Sequence, residues 1–282
     1  MRPEQVTDAL AYHGEGPVWS PGQATLRWVD MLEGDVLSLA EDGSVDRQNV
    51  GTVAALARPR RSGGWIYAVE RGFVLEDSTG EMTELPVVWS DASVRMNDGA
   101  CDPDGRFYCG SMAYDKEPGR AALYRLDADR SVSVVFEGAT ISNGLDWSPD
   151  NSLAYYVDTP TLRIDMFDYE AVTGLTNRRV FATIDDADGW PDGLTVDSEG
   201  AVWVAMNGGF AVRRYLADGR LDGQVELPTP KVTSCALGGS NLDELFITTS
   251  AEDMDRRDDP IAGSLFRANV GVRGMPVREF AG

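Results

Sequence analysis

Four oxygen-bearing side chains, Glu15, Asn97, Asn143 and Asp192, stand at matching places in a repeating pattern. Each lies six residues ahead of a turn position, taken at Pro21, Pro103, Pro149 and Ser198. Gly16, Gly144 and Gly193 follow three of them directly, and Gly99 follows Asn97 after Asp98. Glycine there lets the backbone bend sharply or approach something closely. Convergent carboxylates repel unless a cation lies between them, so Glu15, Asn143 and Asp192, with Asn97 nearby, read as a metal site. An all-oxygen set in a chain whose only histidine is His13 does not suit a dedicated His/Cys zinc centre. Calcium takes about 6–8 oxygen ligands, so three or four side chains leave positions for water or substrate. Ca²⁺ is the expected ion, with Mg²⁺, Mn²⁺ or Zn²⁺ as alternatives. Each Asn-Gly or Asp-Gly pair alone is ordinary turn chemistry, and the shared register is what argues for more.

The elements that position these residues recur with them. A short β run leads into a Pro/Asp/Gly turn and a second β run with aromatics, as in Cys101-Asp102-Pro103-Asp104-Gly105 before Phe107-Tyr108-Cys109. The turns fall near positions 21, 60, 103, 149, 198 and 239. Third runs such as Leu123–Leu126 and Val212–Tyr215 follow, and fourth runs such as Val132–Phe136. A period of about 40–50 residues with four strands reads as a propeller blade. The expected fold is all-β, a six-bladed β-propeller with four antiparallel strands per blade, one domain over residues 1–282. The register puts the oxygen-bearing positions at the start of each innermost strand, at one height around the channel. The two remaining copies give Thr233 and either Ala54 or Ala55. Closure is expected from one chain end, either Gln5 to Ala9 or Val277 to Phe280, because an open edge is a liability.

With 25 basic and 46 acidic residues the net charge is −21. Such a surface repels phosphate backbones and anionic lipid, which argues against nucleic-acid and membrane partners. No apolar run approaches the ~18 residues of a membrane span. The N-terminus lacks the apolar core of a signal peptide. Cys101, Cys109 and Cys235 read as reduced, buried thiols. A cytoplasmic protein is therefore expected, and nothing in the sequence sets an oligomeric state.

Other chemistry is sparse. There is no G-x-S-x-G elbow, and one histidine leaves little room for a serine triad. His13 reads either as a packing residue or as a proton shuttle beside Glu15. Asp102-Pro103-Asp104-Gly105 lacks the downstream Glu of a calcium loop and reads as a hairpin turn. The acidic stretch 252–259 reads as a solvated loop with internal ion pairs, or as a lid or second cation site. Trp19, Trp147 and Trp203 read as packing between blades.

Several stretches, in order, carry a resemblance: Gly14-Glu15-Gly16-Pro17-Val18-Trp19, Arg95-Met96-Asn97-Asp98-Gly99, Ile141-Ser142-Asn143-Gly144-Leu145-Asp146-Trp147 and Pro191-Asp192-Gly193-Leu194. Together they resemble the senescence-marker protein/gluconolactonase/regucalcin-like family of calcium-dependent sugar lactonases. The resemblance implies a six-bladed propeller with a divalent metal held by Glu15, Asn143 and Asp192. It implies sugar-lactone contacts at Arg95 and Asn97, and at Asp115, which follows Gly110-Ser111-Met112 where similar proteins carry Glu. His13 departs from a position that is usually aliphatic. The implied activity is metal-dependent opening of an aldonolactone, with Asp192 as catalytic base. The same site acting on an organophosphate or another lactone, a non-catalytic calcium-binding propeller and a purely structural propeller are the rival readings.

Overall fold

β-Branched and aromatic residues recur through the runs, above all in second runs such as Trp65–Val69 and Glu244–Thr249. In the computed structural model, which describes residues 2–40 and 42–282, these runs become strands. Among the described residues they form six four-stranded antiparallel sheets. The innermost strands are Gly14–Ser20, Ala54–Pro59, Val94–Cys101, Ser142–Trp147, Trp190–Val196 and Val232–Gly238. Each packs against the innermost strand of the next blade, and the sixth packs against the first, which closes the ring. The expected six-bladed propeller is what the chain forms.

In the first five blades the strands run outward in chain order. The sixth is closed by the N-terminal strand Glu4–Gln5, with Glu4 opposite Arg267 and Gln5 opposite Phe266. Of the two closures the sequence left open, the N-terminal one is used, two residues long. The C-terminal segment crosses the opposite face instead, where Arg273 O accepts the Ser198 N–H and Arg278 pairs with Asp146 at 3.1 Å. Its Phe280 is fully buried and hydrogen-bonded through its backbone to Pro59 and Arg61.

Aromatic contacts between blades supply much of the core. Trp147 meets Tyr108 edge-on at 5.5 Å, and Trp19 stacks on Phe246 at 6.2 Å. Trp203 packs in a cluster shared by the fifth and sixth blades, its indole N–H donating to Asp197 Oδ2 at 3.0 Å. The hairpin reading of Asp102–Gly105 holds: Asp102 Oδ1 accepts the N–H groups of Asp104 and Arg106 at 3.0 and 2.8 Å. The three cysteines are free and buried, and burial pushes the Cys101 thiol up to about 12. No helix among the described residues is long and apolar enough to cross a membrane.

Candidate active site

Every innermost strand breaks its pairing near its start. The register shifts between Glu15 and Val18, Ala54 and Leu56, Met96 and Gly99, Ser142 and Leu145, Pro191 and Leu194, and Val232 and Ser234. An irregularity of this kind re-aims the local side chains. Four of the six copies thereby turn an oxygen-bearing side chain to one end of the channel. Glu15, Asn97, Asn143 and Asp192 are each 4–6% exposed, and all four line one cavity of about 640 Å³. Ala54 and Ala55 bring no oxygen. Thr233 is turned away, donating to Gly14 O at 2.5 Å.

The glycines after the ligand positions have a steric cause. A Cβ on Gly144 would stand 2.6 Å from Leu194 N and 2.7 Å from Asp192 O, and one on Gly193 would stand 2.1 Å from Ser234 Oγ. The close approach is that of the neighbouring innermost strand. Gly144 and Gly193 therefore fix how tightly the ring closes around the site.

Two buried aspartates set the backbone just ahead of the ligands. Asp30 ends the second strand of its blade and accepts the His13 N–H at 2.9 Å, two residues before Glu15. Asp158 does the same in the fourth blade, accepting the Ile141 N–H at 2.9 Å, two residues before Asn143. Antiparallel pairing brings the end of each second strand back to the mouth. Asn207, which ends the strand Val202–Asn207, donates to Asp192 Oδ2 at 3.0 Å. Thr159 follows Leu153–Asp158 and accepts from Asn143 Nδ2 at 3.0 Å.

These bonds orient the two groups with consequence. Asn143 Oδ1 and Asp192 Oδ1 are left buried without a hydrogen-bond partner. Orphaned acceptors cost about 1–3 kcal/mol each unless something else satisfies them. A hard dication would do so, with Glu15 as the second carboxylate, so these residues fit the expected ion. No three His, Cys, Asp or Glu side chains converge among the described residues, because two of the four positions are amides.

The electrostatics point the same way. Burial pushes the Glu15 carboxyl well above its ordinary range, and the charges of Asp192 and Asp98 add to it. Asp192 is lifted from 3.8 to about 7, chiefly by burial and then by Asp98, against the pull of the Asn207 and Asn143 amides. Asp98, which sequence reasoning passed over as a spacer, is itself a buried carboxylate raised by burial. Without a counter-charge, crowded carboxylates in a low-dielectric site hold protons. Burial, with Arg95, Lys231 and Lys116 around it, lowers His13 to about 3 and keeps it neutral.

Arg95 and Asn97 form a coupled pair. Arg95 Nη1 donates to Asn97 Oδ1 at 2.8 Å and to Met96 O at 2.9 Å, while Asn97 Nδ2 donates to Ser142 O at 2.9 Å. Arg95 Nε is buried and unpartnered. Asp115 lies elsewhere: it is exposed in a turn, and its Oδ1 accepts the Glu117 N–H at 3.1 Å. Its neighbours Tyr114 and Lys116 line the cavity instead. Of the acidic stretch 252–259, Glu252 reaches the cavity, and Arg257 pairs with Asp255 at 2.5 Å in an exposed turn.

Comparison with known proteins gives a consistent result. The family model for the SMP-30/gluconolactonase/LRE-like region matches residues 13–251. Regucalcin from Danio rerio is 35% identical over 279 residues, covering 95% of each chain. Pentonolactonase XacC from Haloferax volcanii is 36% identical over 285 residues, covering 98% of this chain and 97% of its own. The structure of a calcium-binding regucalcin from Agrobacterium tumefaciens superposes with a TM-score of 0.92 at 27% identity, covering 99% of this chain and 97% of that one. With the propeller and the buried oxygen cluster already in place, the chain belongs to the SMP-30/gluconolactonase/LRE-like family.

Proposed function

We propose that this chain is a divalent-metal-dependent hydrolase that opens a sugar lactone to its aldonic acid in the manner of a gluconolactonase. The observation that carries the reading is the pair of orphaned, buried oxygens, Asn143 Oδ1 and Asp192 Oδ1, beside Glu15 in a cavity large enough for a sugar ring. A cation held by Glu15, Asn143 and Asp192, Ca²⁺ first, would polarise the lactone carbonyl and acidify water. Asp192 takes the proton of the attacking water as the new C–O bond forms. The ring C–O bond then breaks, and that proton passes to the departing ring oxygen, leaving a hydroxy acid. Arg95 and Asn97 orient the sugar hydroxyls and donate to the developing oxyanion. The name of the Haloferax volcanii relative supports a lactone substrate, and that of the Agrobacterium tumefaciens relative supports calcium. Buried free thiols agree with a cytoplasmic setting.

The test pairs Glu15→Gln and Asp192→Ala with cation titration and an aldonolactone assay. Both variants lose cation affinity and turnover together. An Asp192→Ala protein with unchanged affinity and activity overturns the reading. Cation binding without turnover of any lactone favours a binding propeller or another electrophile.

A further inference from the structure

His13 lines the cavity but belongs neither to the cation set nor to the Arg95–Asn97 pair. It precedes Glu15 by two residues, so on extended backbone the two side chains point the same way, the imidazole about 6.6 Å nearer the mouth. A ring bound with its carbonyl at the height of Glu15 would bring its substituents to the height of His13.

The contacts of the imidazole fix its tautomer. Nδ1 lies 2.8 Å from Ser250 Oγ and 3.5 Å from Glu252 Oε2. Ser250 Oγ accepts the Glu252 N–H at 3.0 Å and has the Tyr12 carbonyl at 3.4 Å for its own proton. A bare Nδ1 would face the lone pairs of a carboxylate, so the ring proton sits on Nδ1. Lys231 holds this corner by donating from Nζ to the Glu252 carbonyl. Nε2 is then a bare acceptor on a ring that lines the cavity, since the hydrogen bonds of the imidazole run through Nδ1. Arg95 and Lys116, which line the same cavity, offer only donors. Asp186 and Glu252, which also line it, bring charged acceptors, and Nε2 adds a neutral one two residues ahead of Glu15 for a sugar hydroxyl that must donate as well as accept.

We propose that His13 is a specificity-determining residue that accepts a hydrogen bond from a hydroxyl of the bound lactone through Nε2, with Ser250 and Glu252 as positioning residues. The assignment rests on the lactonase reading and adds to it a preference for hydroxylated over unsubstituted rings. The test compares the cation-loaded enzyme on two five-membered lactones, a polyhydroxylated aldonolactone and unsubstituted γ-butyrolactone. His13→Leu lowers the ratio of kcat/KM values, hydroxylated over unsubstituted, about tenfold. His13→Gln, whose amide oxygen can accept, restores part of that ratio, and Glu252→Gln shifts it in the same direction as His13→Leu by less. Equal losses on both lactones in His13→Leu, or no loss, overturn the assignment while leaving the lactonase reading standing. Failure of the wild-type enzyme to open either lactone overturns the lactonase reading, and this assignment with it.

Discussion

Protons and a dication compete for Asp192, and the competition is measurable as stability. In the metal-free fold, burial lifts this carboxyl from 3.8 to about 7. A raised carboxyl contributes stability that is fully present below its unfolded value and is lost as pH rises through the folded one. From pH 5 to 7 the folded state keeps the proton that the unfolded chain has released. Two pH units correspond to roughly 3 kcal/mol lost. For 282 residues the unfolding entropy is about 0.6 kcal/mol per kelvin, so Tm falls by about 5 °C between pH 5 and pH 8. Exposed aspartates such as Asp42, Asp77 and Asp129, lowered by hydrogen bonds to nearby Ser and Thr residues, push the other way as pH falls. The comparison is therefore with Asp192→Asn, which keeps their contribution and lacks the titration. Thermal melts of chelator-treated protein at pH 5 and 8 should differ between wild type and variant by those 5 °C. Added Ca²⁺ should raise Tm more at pH 8 than at pH 5, because its apparent affinity falls about tenfold per pH unit below 7 for one displaced proton. Parallel pH profiles for wild type and Asp192→Asn would refute the reasoning.

Three further outcomes follow from named contacts. Asn207→Ala removes the donor to Asp192 Oδ2 and should weaken cation affinity about 10–100-fold by calorimetry. Gly193→Ala forces a Cβ to 2.1 Å from Ser234 Oγ and should cost about 1–3 kcal/mol or more in denaturant unfolding, with cation affinity falling as the Asp192 backbone shifts. Phe280→Ala empties a fully buried site packed against Phe107 and should cost about 3–5 kcal/mol, while kcat on the opposite face stays unchanged.

The blade count was legible because each turn needs Gly or Pro at a fixed offset, and the spacing of those turns is the spacing of the blades. The four oxygen-bearing positions were legible for the same reason, since they keep a constant offset from the turns. The second blade resisted because Ala54 and Ala55 carry nothing that distinguishes a channel-facing residue from a core one. Glu4–Gln5 carries no strand pattern: it is two exposed polar residues held by Arg267 and Phe266, and only the geometry of the last blade creates its partner. The C-terminal segment forms no extended strand, so its role across the far face left no periodic trace. Asp30, Thr159 and Asn207 escaped notice although the same repeat logic reaches them. Second strands end where first strands begin, so aligning the ends of Thr25–Asp30, Leu153–Asp158 and Val202–Asn207 finds Asp30, Asp158 and Asn207, with Thr159 the next residue along. Asp115 was carried by resemblance alone, and the turn that follows the strand Phe107–Ala113 presents Tyr114 and Lys116 to the cavity in its place.

The central claim is that the oxygen cluster holds a dication that lactone hydrolysis requires. The most direct measurement is hydrolysis of an aldonolactone panel by metal-stripped protein, with Ca²⁺, Mg²⁺, Mn²⁺ and Zn²⁺ restored separately and acid release followed by indicator. Turnover absent from the stripped protein and restored by Ca²⁺, but not in Asp192→Ala, is the predicted result. Equal turnover with and without metal, or no response of either turnover or Tm to any of the four ions, would contradict it.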